Sequence, residues 1–115
     1  MSECLFCKIA RKEIPAAVVY EDDTLLAFKD LFPQAPVHLL IISKAHCEGL
    51  GDMTPAAEAA AAGIPRAAAK LAQEFGVMTS GWRLLSNCGP DAGQSVPHLH
   101  FHLLGGKPLG GKLCQ

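Results

Sequence analysis

The sequence predicts an α+β domain in which a mostly antiparallel, five-stranded sheet packs against one long and one short helix. Short apolar runs in neighbouring pairs indicate the strands, and one alanine-rich segment with apolar residues at helical spacing indicates the long helix. Because the chain has 115 residues, 50% of them hydrophobic, we expect a single globular domain over residues 1–115.

The first half of the chain predicts a short helix, a hairpin and a central strand. Residues 4–12 favour the helix. The runs 18–21 and 25–28 flank a short polar turn and predict a β-hairpin. Val37–Ser43 is apolar on both faces except at His38, which is typical of a central strand covered on both sides.

The long helix is predicted over residues 55–75. Thr54 precedes it as a candidate N-cap, a proline occupies its first position and a glycine follows its end. Its apolar residues recur at steps of three and four, so one face can pack on the sheet. Pro65 removes the hydrogen bond to the Ala61 carbonyl, and we therefore expect a kink or a division near residues 63–64.

Two closing strands, residues 82–87 and 98–104, complete the sheet, with a glycine-containing loop between them. The tail, residues 106–115, is rich in glycine and proline and is expected to be extended. No internal repeat or second domain is indicated.

The composition excludes several classes of function. A net charge of −1 without clusters of Lys or Arg argues against binding to duplex nucleic acid, which depends on summed positive charge. The N-terminal segment has charges and no continuous apolar run, so neither a signal peptide nor a membrane span is predicted, and we expect a cytoplasmic protein. The five cysteines are then better interpreted as thiols or metal ligands than as disulfides.

Three histidines, His98, His100 and His102, alternate with apolar residues. In a strand, side chains two residues apart share a face, so these imidazoles would point one way, with successive Cα atoms roughly 7 Å apart. The apolar side chains between them would pack inward and turn the histidine face outward. The residues alone allow a solvent-facing strand edge, a three-histidine zinc site with an open coordination position, or a nucleophilic imidazole.

The loop before the histidines has groups that suit an anion such as phosphate. Gly89 and Gly93 offer backbone N–H groups, while Asn87, Gln94 and Ser95 offer side-chain donors. Beside three imidazoles, such a loop can hold the group that a nucleophile attacks.

Cys4 and Cys7 form a C-x2-C pair, which commonly supplies two ligands of a tetrahedral zinc site completed by two histidines. A redox-active pair is the alternative, but the βαβ context of a thioredoxin-like site is missing from the predicted elements.

The run GQSVPHLHFHLLGG matches the pattern His-φ-His-φ-His-φ-φ, where φ is apolar. Together with KIARKEIPA, YEDD, LAFKDLFPQAPVHLLIISKAH and NCGPDAGQS, it makes the chain resemble the histidine-triad (HIT) nucleotide-binding family. The flanking GQS and LLGG are similar to the Hint branch, the purine nucleoside phosphoramidases, rather than to the dinucleoside polyphosphate hydrolases, where Pro-Arg typically follows the triad. The resemblance implies a HIT-like fold whose sheets join in a homodimer.

The resemblance also implies a mechanism. His100 would attack the α-phosphate of a purine nucleoside 5′-phosphoramidate and form a nucleotidyl-histidine intermediate, which water then hydrolyses. His102 would hold a phosphate oxygen, Ser95 would contact the phosphate or the leaving group, and His38 would complete the histidine cluster.

Further residues match the family's ligand sites. Asp30 would accept the ribose hydroxyls, and structural zinc would be bound by Cys4, Cys7, His46 and His98. The residues expected to contact the purine nucleotide are Phe6, Ile9, Phe28, Asp30, Leu31, Asn87, Gly93, Gln94, Ser95, His100 and His102. Two other functions remain alternatives: hydrolysis of dinucleoside polyphosphates, and a nucleotide-binding or scaffolding module with little turnover.

Overall fold

The structure, a computed structural model, describes residues 4–111. Five strands form one antiparallel sheet in the order β1-β2-β3-β5-β4, and the α+β prediction is confirmed. The elements are α1 (Leu5–Ala10), β1 (Val18–Glu21), β2 (Leu25–Lys29), β3 (Val37–Ser43), α2 (Pro55–Ala61), α3 (Ile64–Glu74), β4 (Trp82–Leu85), a 3₁₀ turn (Pro90–Ala92) and β5 (His100–Gly105).

Both faces of the sheet are covered, and β3 is buried along its whole length. On one face Leu39 and Ile41 belong to the core that α2 and α3 cover. On the other face Leu40 and Ile42 pack with residues of α1. Because side chains alternate along a strand, β3 contributes to both cores at once.

The long helix is divided where the sequence predicts. α2 ends at Ala61 and α3 begins at Ile64, with Pro65 in its first turn. The Thr54 hydroxyl accepts a hydrogen bond from the Ala57 N–H at 3.1 Å, which confirms the N-cap. Proline at the start of a helix removes an N–H that has no intrahelical partner, so the division costs α3 little.

The last strand begins two residues later than predicted, and this changes the environment of the first histidine. Pro97 has no N–H to donate to a ladder. The Leu99 N–H donates instead to the Cys47 carbonyl at 2.9 Å, and the His98 N–H to the Val96 carbonyl at 2.8 Å. His98 therefore precedes β5, and the expectation that all three histidines share one strand is wrong.

The histidine face also does not point outward, as the sequence suggested, because α1 covers it. His98 and His100 are 0% and 3% exposed. The Phe6 ring contacts the His100 ring edge-on, with centroids 5.0 Å apart. The apolar side chains that alternate with the histidines do pack inward: Leu99 and Leu103 are fully buried, and the partly buried Phe101 packs against the core.

Other element ends differ by a few residues. The first helix covers Leu5–Ala10 rather than 4–12, and β4 ends at Leu85 rather than at residue 87. β2 extends one residue beyond its predicted end. Residues 106–111 of the tail are irregular, and Arg83 Nη2 donates to the Gly110 carbonyl at 2.5 Å; the rest of the predicted tail, 112–115, lies outside the described residues.

Candidate active site and metal centre

A cavity of about 310 Å³, here called the main cavity, lies between α1 and the sheet. Its walls are mostly apolar and include Phe6, Ile9 and Phe28. Its polar lining consists of Lys29, Asp30, Ser95, His100 and His102. An apolar cavity with a few convergent polar groups is typical of a small-molecule site.

His100 is held in a single orientation at the start of β5. Its Nδ1 lies 2.7 Å from the His98 carbonyl oxygen. A carbonyl can only accept, so Nδ1 carries the proton and the neutral ring has its lone pair on Nε2. An imidazole with a free Nε2 lone pair beside a cavity is a competent nucleophile.

His102 and His38 form a hydrogen-bonded pair on the same face of the sheet. The Gln34 N–H donates to His38 Nδ1 at 3.0 Å, so the proton of a neutral His38 is on Nε2. His38 Nε2 lies 3.0 Å from His102 Nδ1, which therefore accepts. The remaining nitrogen of His102, Nε2, then carries an N–H.

Burial keeps His102 neutral. Desolvation, followed by the nearby imidazoles of His100 and His38, lowers the pKa of His102 from 6.5 to about 4. At neutral pH its Nε2–H is therefore a fixed, uncharged donor.

Asp30 follows β2 and lines the main cavity. Its Oδ1 accepts the Phe32 N–H at 2.8 Å, and its Oδ2 lies 3.4 Å from His38 Nε2. Asp30, His38 and His102 could also be viewed as a group of metal ligands. However, the Gln34 N–H on His38 Nδ1 places the proton on Nε2, which favours a hydrogen-bonded chain over a ligand at that atom.

Some of the residues predicted to contact the nucleotide line the main cavity, and others do not. Ser95 is exposed on the wall of the main cavity, and Leu31 is 87% exposed at its mouth. The described lining does not include Asn87, Gly93 or Gln94.

Gln94 holds the loop instead of facing the cavity. Its Nε2 donates to the Glu48 carbonyl at 2.6 Å and to the Val96 carbonyl at 3.1 Å. Its Oε1 accepts the Gly89 N–H at 2.9 Å.

Phe32 was missed by the sequence reasoning although it lines the main cavity, as do Val96 and residues 14–17. Phe32 is 83% exposed. The sequence contained a signal for Phe32, because a large aromatic residue in the proline-containing loop after Asp30 is expected to lie at the surface rather than in the core.

A second group of side chains joins α1 to the chain before β5. Cys4 Sγ lies 3.3 Å from His98 Nδ1, and Cys7 Sγ lies 3.3 Å from His46 Nδ1 and 3.5 Å from His98 Nδ1. The two Nδ1 atoms are 3.1 Å apart, and all four ligand atoms lie within 4.8 Å of one another. This set is called the Cys-His cluster below.

The Cys-His cluster fits a tetrahedral metal ion. With zinc–sulfur bonds of about 2.3 Å and zinc–nitrogen bonds of about 2.0–2.1 Å, neighbouring ligand atoms in a tetrahedron are about 3.3–3.8 Å apart. The His98 ring is also fixed from outside, since its Nε2 donates to the Ser43 carbonyl at 2.7 Å. A ligating histidine whose other nitrogen donates to a carbonyl is typical of metal sites in proteins.

His98 takes part in both sites. Its ring belongs to the Cys-His cluster, while its carbonyl oxygen accepts the Nδ1–H of His100. His102 lies in a separate group with His38, so the three histidines of the triad do not converge on one metal position among the described residues. The three-histidine zinc site is thus not supported.

The fold and the site together define a small domain that presents a buried, oriented imidazole to an apolar cavity. The chain belongs to the HIT family: the sequence model described as "HIT domain" matches residues 11–109. No helix within residues 4–111 is both long enough and apolar enough to cross a bilayer.

Known proteins are similar over nearly the full chain. Purine nucleoside phosphoramidase of Escherichia coli (strain K12) is 44% identical over 113 residues, which cover 98% of this chain and 95% of that protein. A HIT family hydrolase from Clostridium thermocellum superposes with a TM-score of 0.92 at 43% identity, covering 98% of both chains. A histidine triad protein from Clostridium difficile gives 0.90 at 45% identity, covering 96% of both chains.

Proposed function

We propose that the protein is a hydrolase that cleaves the phosphorus–nitrogen bond of purine nucleoside 5′-phosphoramidates. The observation that carries the proposal is the hydrogen bond from His100 Nδ1–H to the His98 carbonyl, which leaves the Nε2 lone pair free for attack. The phosphoramidase activity named for the E. coli relative supports the choice of substrate.

The main cavity accounts for binding. The purine lies against Phe6, Ile9 and Phe28, with Leu31 at the mouth, and Asp30 accepts the ribose hydroxyls. Asp30 is suited to this because its carboxylate is oriented by the Phe32 N–H.

His100 Nε2 attacks the α-phosphorus, and the phosphorus–nitrogen bond breaks to leave a nucleotidyl-histidine. Water then displaces His100 and releases the nucleoside monophosphate. His102 donates Nε2–H to a phosphate oxygen, and His38 fixes the tautomer that makes this possible. Ser95, which also lines the main cavity, contacts the phosphate or the departing nitrogen. Gln94 positions the loop before Ser95 through its hydrogen bonds with Gly89, Glu48 and Val96, and Asn87 and Gly93 belong to the same loop.

The Cys-His cluster is proposed to hold structural Zn²⁺ through Cys4, Cys7, His46 and His98. Zinc bound by two thiolates and two imidazoles has a closed shell, so it supplies cross-linking rather than a reactive water. The redox interpretation of the C-x2-C pair becomes less attractive, because both cysteines contact histidines from distant parts of the chain.

The decisive experiment compares wild type, His100→Ala and Cys88→Ala with adenosine 5′-phosphoramidate. Mass spectrometry of quenched samples should detect a nucleotidyl adduct on wild type and on Cys88→Ala, an exposed position outside both sites. His100→Ala should form no adduct, lose turnover and keep its zinc. Turnover by His100→Ala near the wild-type rate would exclude the covalent mechanism. Wild-type protein that binds AMP but turns over neither a phosphoramidate nor a dinucleoside polyphosphate would be a binding module.

We further propose a cytoplasmic homodimer built from one domain per chain, in which sheets join edge to edge. β1 and β4 are the outer strands of the sheet, and an outer strand offers unpaired backbone groups to another chain. Sedimentation equilibrium of the full chain tests the dimer, and a monomer at micromolar concentration would exclude it. Duplex nucleic acid and membranes are not expected partners.

A further inference from the structure

A second cavity of about 370 Å³, here called the side cavity, adjoins the main cavity. The two share Leu5, Ser95 and Val96 as a common wall. Beyond this wall the side cavity is lined by Glu48, Pro97 and the cluster residues Cys4 and His46. The two spaces therefore meet at Ser95, while His100 and His102 line the main cavity.

The main cavity is too small to hold both the nucleotide and the leaving group of the substrate. At about 310 Å³ it is at the lower end of the range of about 300–1,000 Å³ for ligand pockets, which suits a nucleoside monophosphate alone. In phosphoryl transfer the nucleophile and the leaving atom lie roughly in line on opposite sides of phosphorus. A leaving group that points away from His100 and passes Ser95 would enter the side cavity.

Glu48 gives the side cavity its charge. The residue is exposed, and its backbone is fixed because its carbonyl accepts the Gln94 Nε2–H at 2.6 Å. None of the ion pairs within residues 4–111 involves Glu48. A zinc ion bound by two thiolates and two neutral imidazoles has no net charge. The Glu48 carboxylate would then give the lining of the side cavity its net negative charge.

We propose that the side cavity binds the leaving group, and that Glu48 selects substrates whose leaving amine carries a second, cationic group. This inference rests on the proposed function. In the step concerned, the bond from His100 Nε2 to phosphorus forms and the phosphorus–nitrogen bond breaks. Its electron pair stays on the leaving nitrogen, which takes up a proton from solvent and departs as a free amine past Ser95.

The test uses two adenosine 5′-phosphoramidates of equal length, one made from butylamine and one from 1,3-diaminopropane. Wild type should show a kcat/KM about twofold to fivefold higher for the diamine substrate, in the range of an exposed ion pair. The preference should fall as the salt concentration rises. Glu48→Gln should bring the ratio of the two kcat/KM values close to one, and Glu48→Lys should invert it. The matched control is Glu58→Gln, an exposed acid on α2 outside both cavities, which should keep the wild-type ratio.

A ratio near one in wild type, or a wild-type ratio retained in Glu48→Gln, overturns the selection by Glu48. Equal loss of preference in Glu58→Gln would also overturn it, because the effect would then come from overall charge. Absence of turnover of both substrates by wild type would instead refute the proposed function.

Discussion

Substitution of His46 by alanine should remove the metal without changing any residue of α1 or β5. His46 lies in the connection after β3, is half-buried and contributes one Nδ1 to the Cys-His cluster. It contacts His98, whose Nδ1 is 3.1 Å away, and Cys7 of α1, whose Sγ is 3.3 Å away. The variant should lose zinc, and the loss can then reach His100 through the His98 backbone or through α1, where Cys7 contacts His46 and Phe6 contacts His100.

The expected magnitudes follow from the contacts. A metal at a thousandfold excess over its Kd stabilises the folded state by about 4 kcal/mol, so loss of zinc should lower the free energy of unfolding by about 3–4 kcal/mol. If only the His100 to His98 hydrogen bond weakens, about 1 kcal/mol is lost and kcat falls about fivefold. If the nucleophile shifts by about 1 Å, kcat falls about a hundredfold. The expected decrease in kcat therefore lies between these limits.

The assay combines elemental analysis for zinc, urea unfolding and single-turnover cleavage of adenosine 5′-phosphoramidate. Lys44→Ala is the matched control, since Lys44 lies in the same connection but pairs with Glu21 at the surface. Zinc-free His46→Ala with wild-type kcat and KM would refute the coupling through His98. Full zinc content in His46→Ala would refute the assignment of His46 as a ligand.

Three further predictions concern pH, backbone conformation and the cavity mouth. Because the pKa of His102 is lowered from 6.5 to about 4 in the folded state, between these two pH values the imidazole is protonated in the unfolded chain but not in the folded chain. Stability should thus fall as pH drops from 6.5 towards 4, by about 1–2 kcal/mol for this half-buried group, and urea unfolding of His102→Gln should show a shallower dependence. Gly106→Ala should cost about 1–3 kcal/mol in urea unfolding, since φ is 93° and a Cβ would lie 2.9 Å from Pro36 Cβ; Gly110→Ala, with φ of 77° and open space, should cost less. Phe32→Ala should raise KM for a purine phosphoramidate about fivefold with a smaller effect on kcat, as loss of a ring contact of about 1 kcal/mol predicts; an equal effect of Met78→Ala, exposed elsewhere, would contradict a role at the cavity mouth.

Local signals in the sequence were sufficient for most of the fold. Thr54 as an N-cap and Pro65 as the site of helix division depend on neighbours within one turn, and both are confirmed. The central strand with His38 followed from a run of apolar residues, and it too is confirmed.

The packing of the site could not be predicted in the same way. That α1 covers the histidine face depends on contacts such as Phe6 with His100, which are far apart in the chain. Pro97 indicated a late start of β5, but the position of His98 is fixed by the bond from Leu99 to the Cys47 carbonyl, for which no sequence pattern exists. Cys4 and Cys7 were predicted as metal ligands from their C-x2-C spacing, whereas His46 and His98 were matched only through the family resemblance. The convergence of the four residues is a property of the fold, and their binding of zinc stays a prediction.

Because β3 contributes to the cores on both faces of the sheet, local opening of one layer leaves the strand covered by the other. If α2 and α3 detach transiently, β3 remains covered by α1, and if α1 detaches, the opposite layer remains in place. The amides of residues 39–42 should therefore exchange with deuterium only when the whole domain unfolds. His38 lies near the start of this slowly exchanging strand. Its hydrogen bond with His102 should therefore persist during local fluctuations of α1.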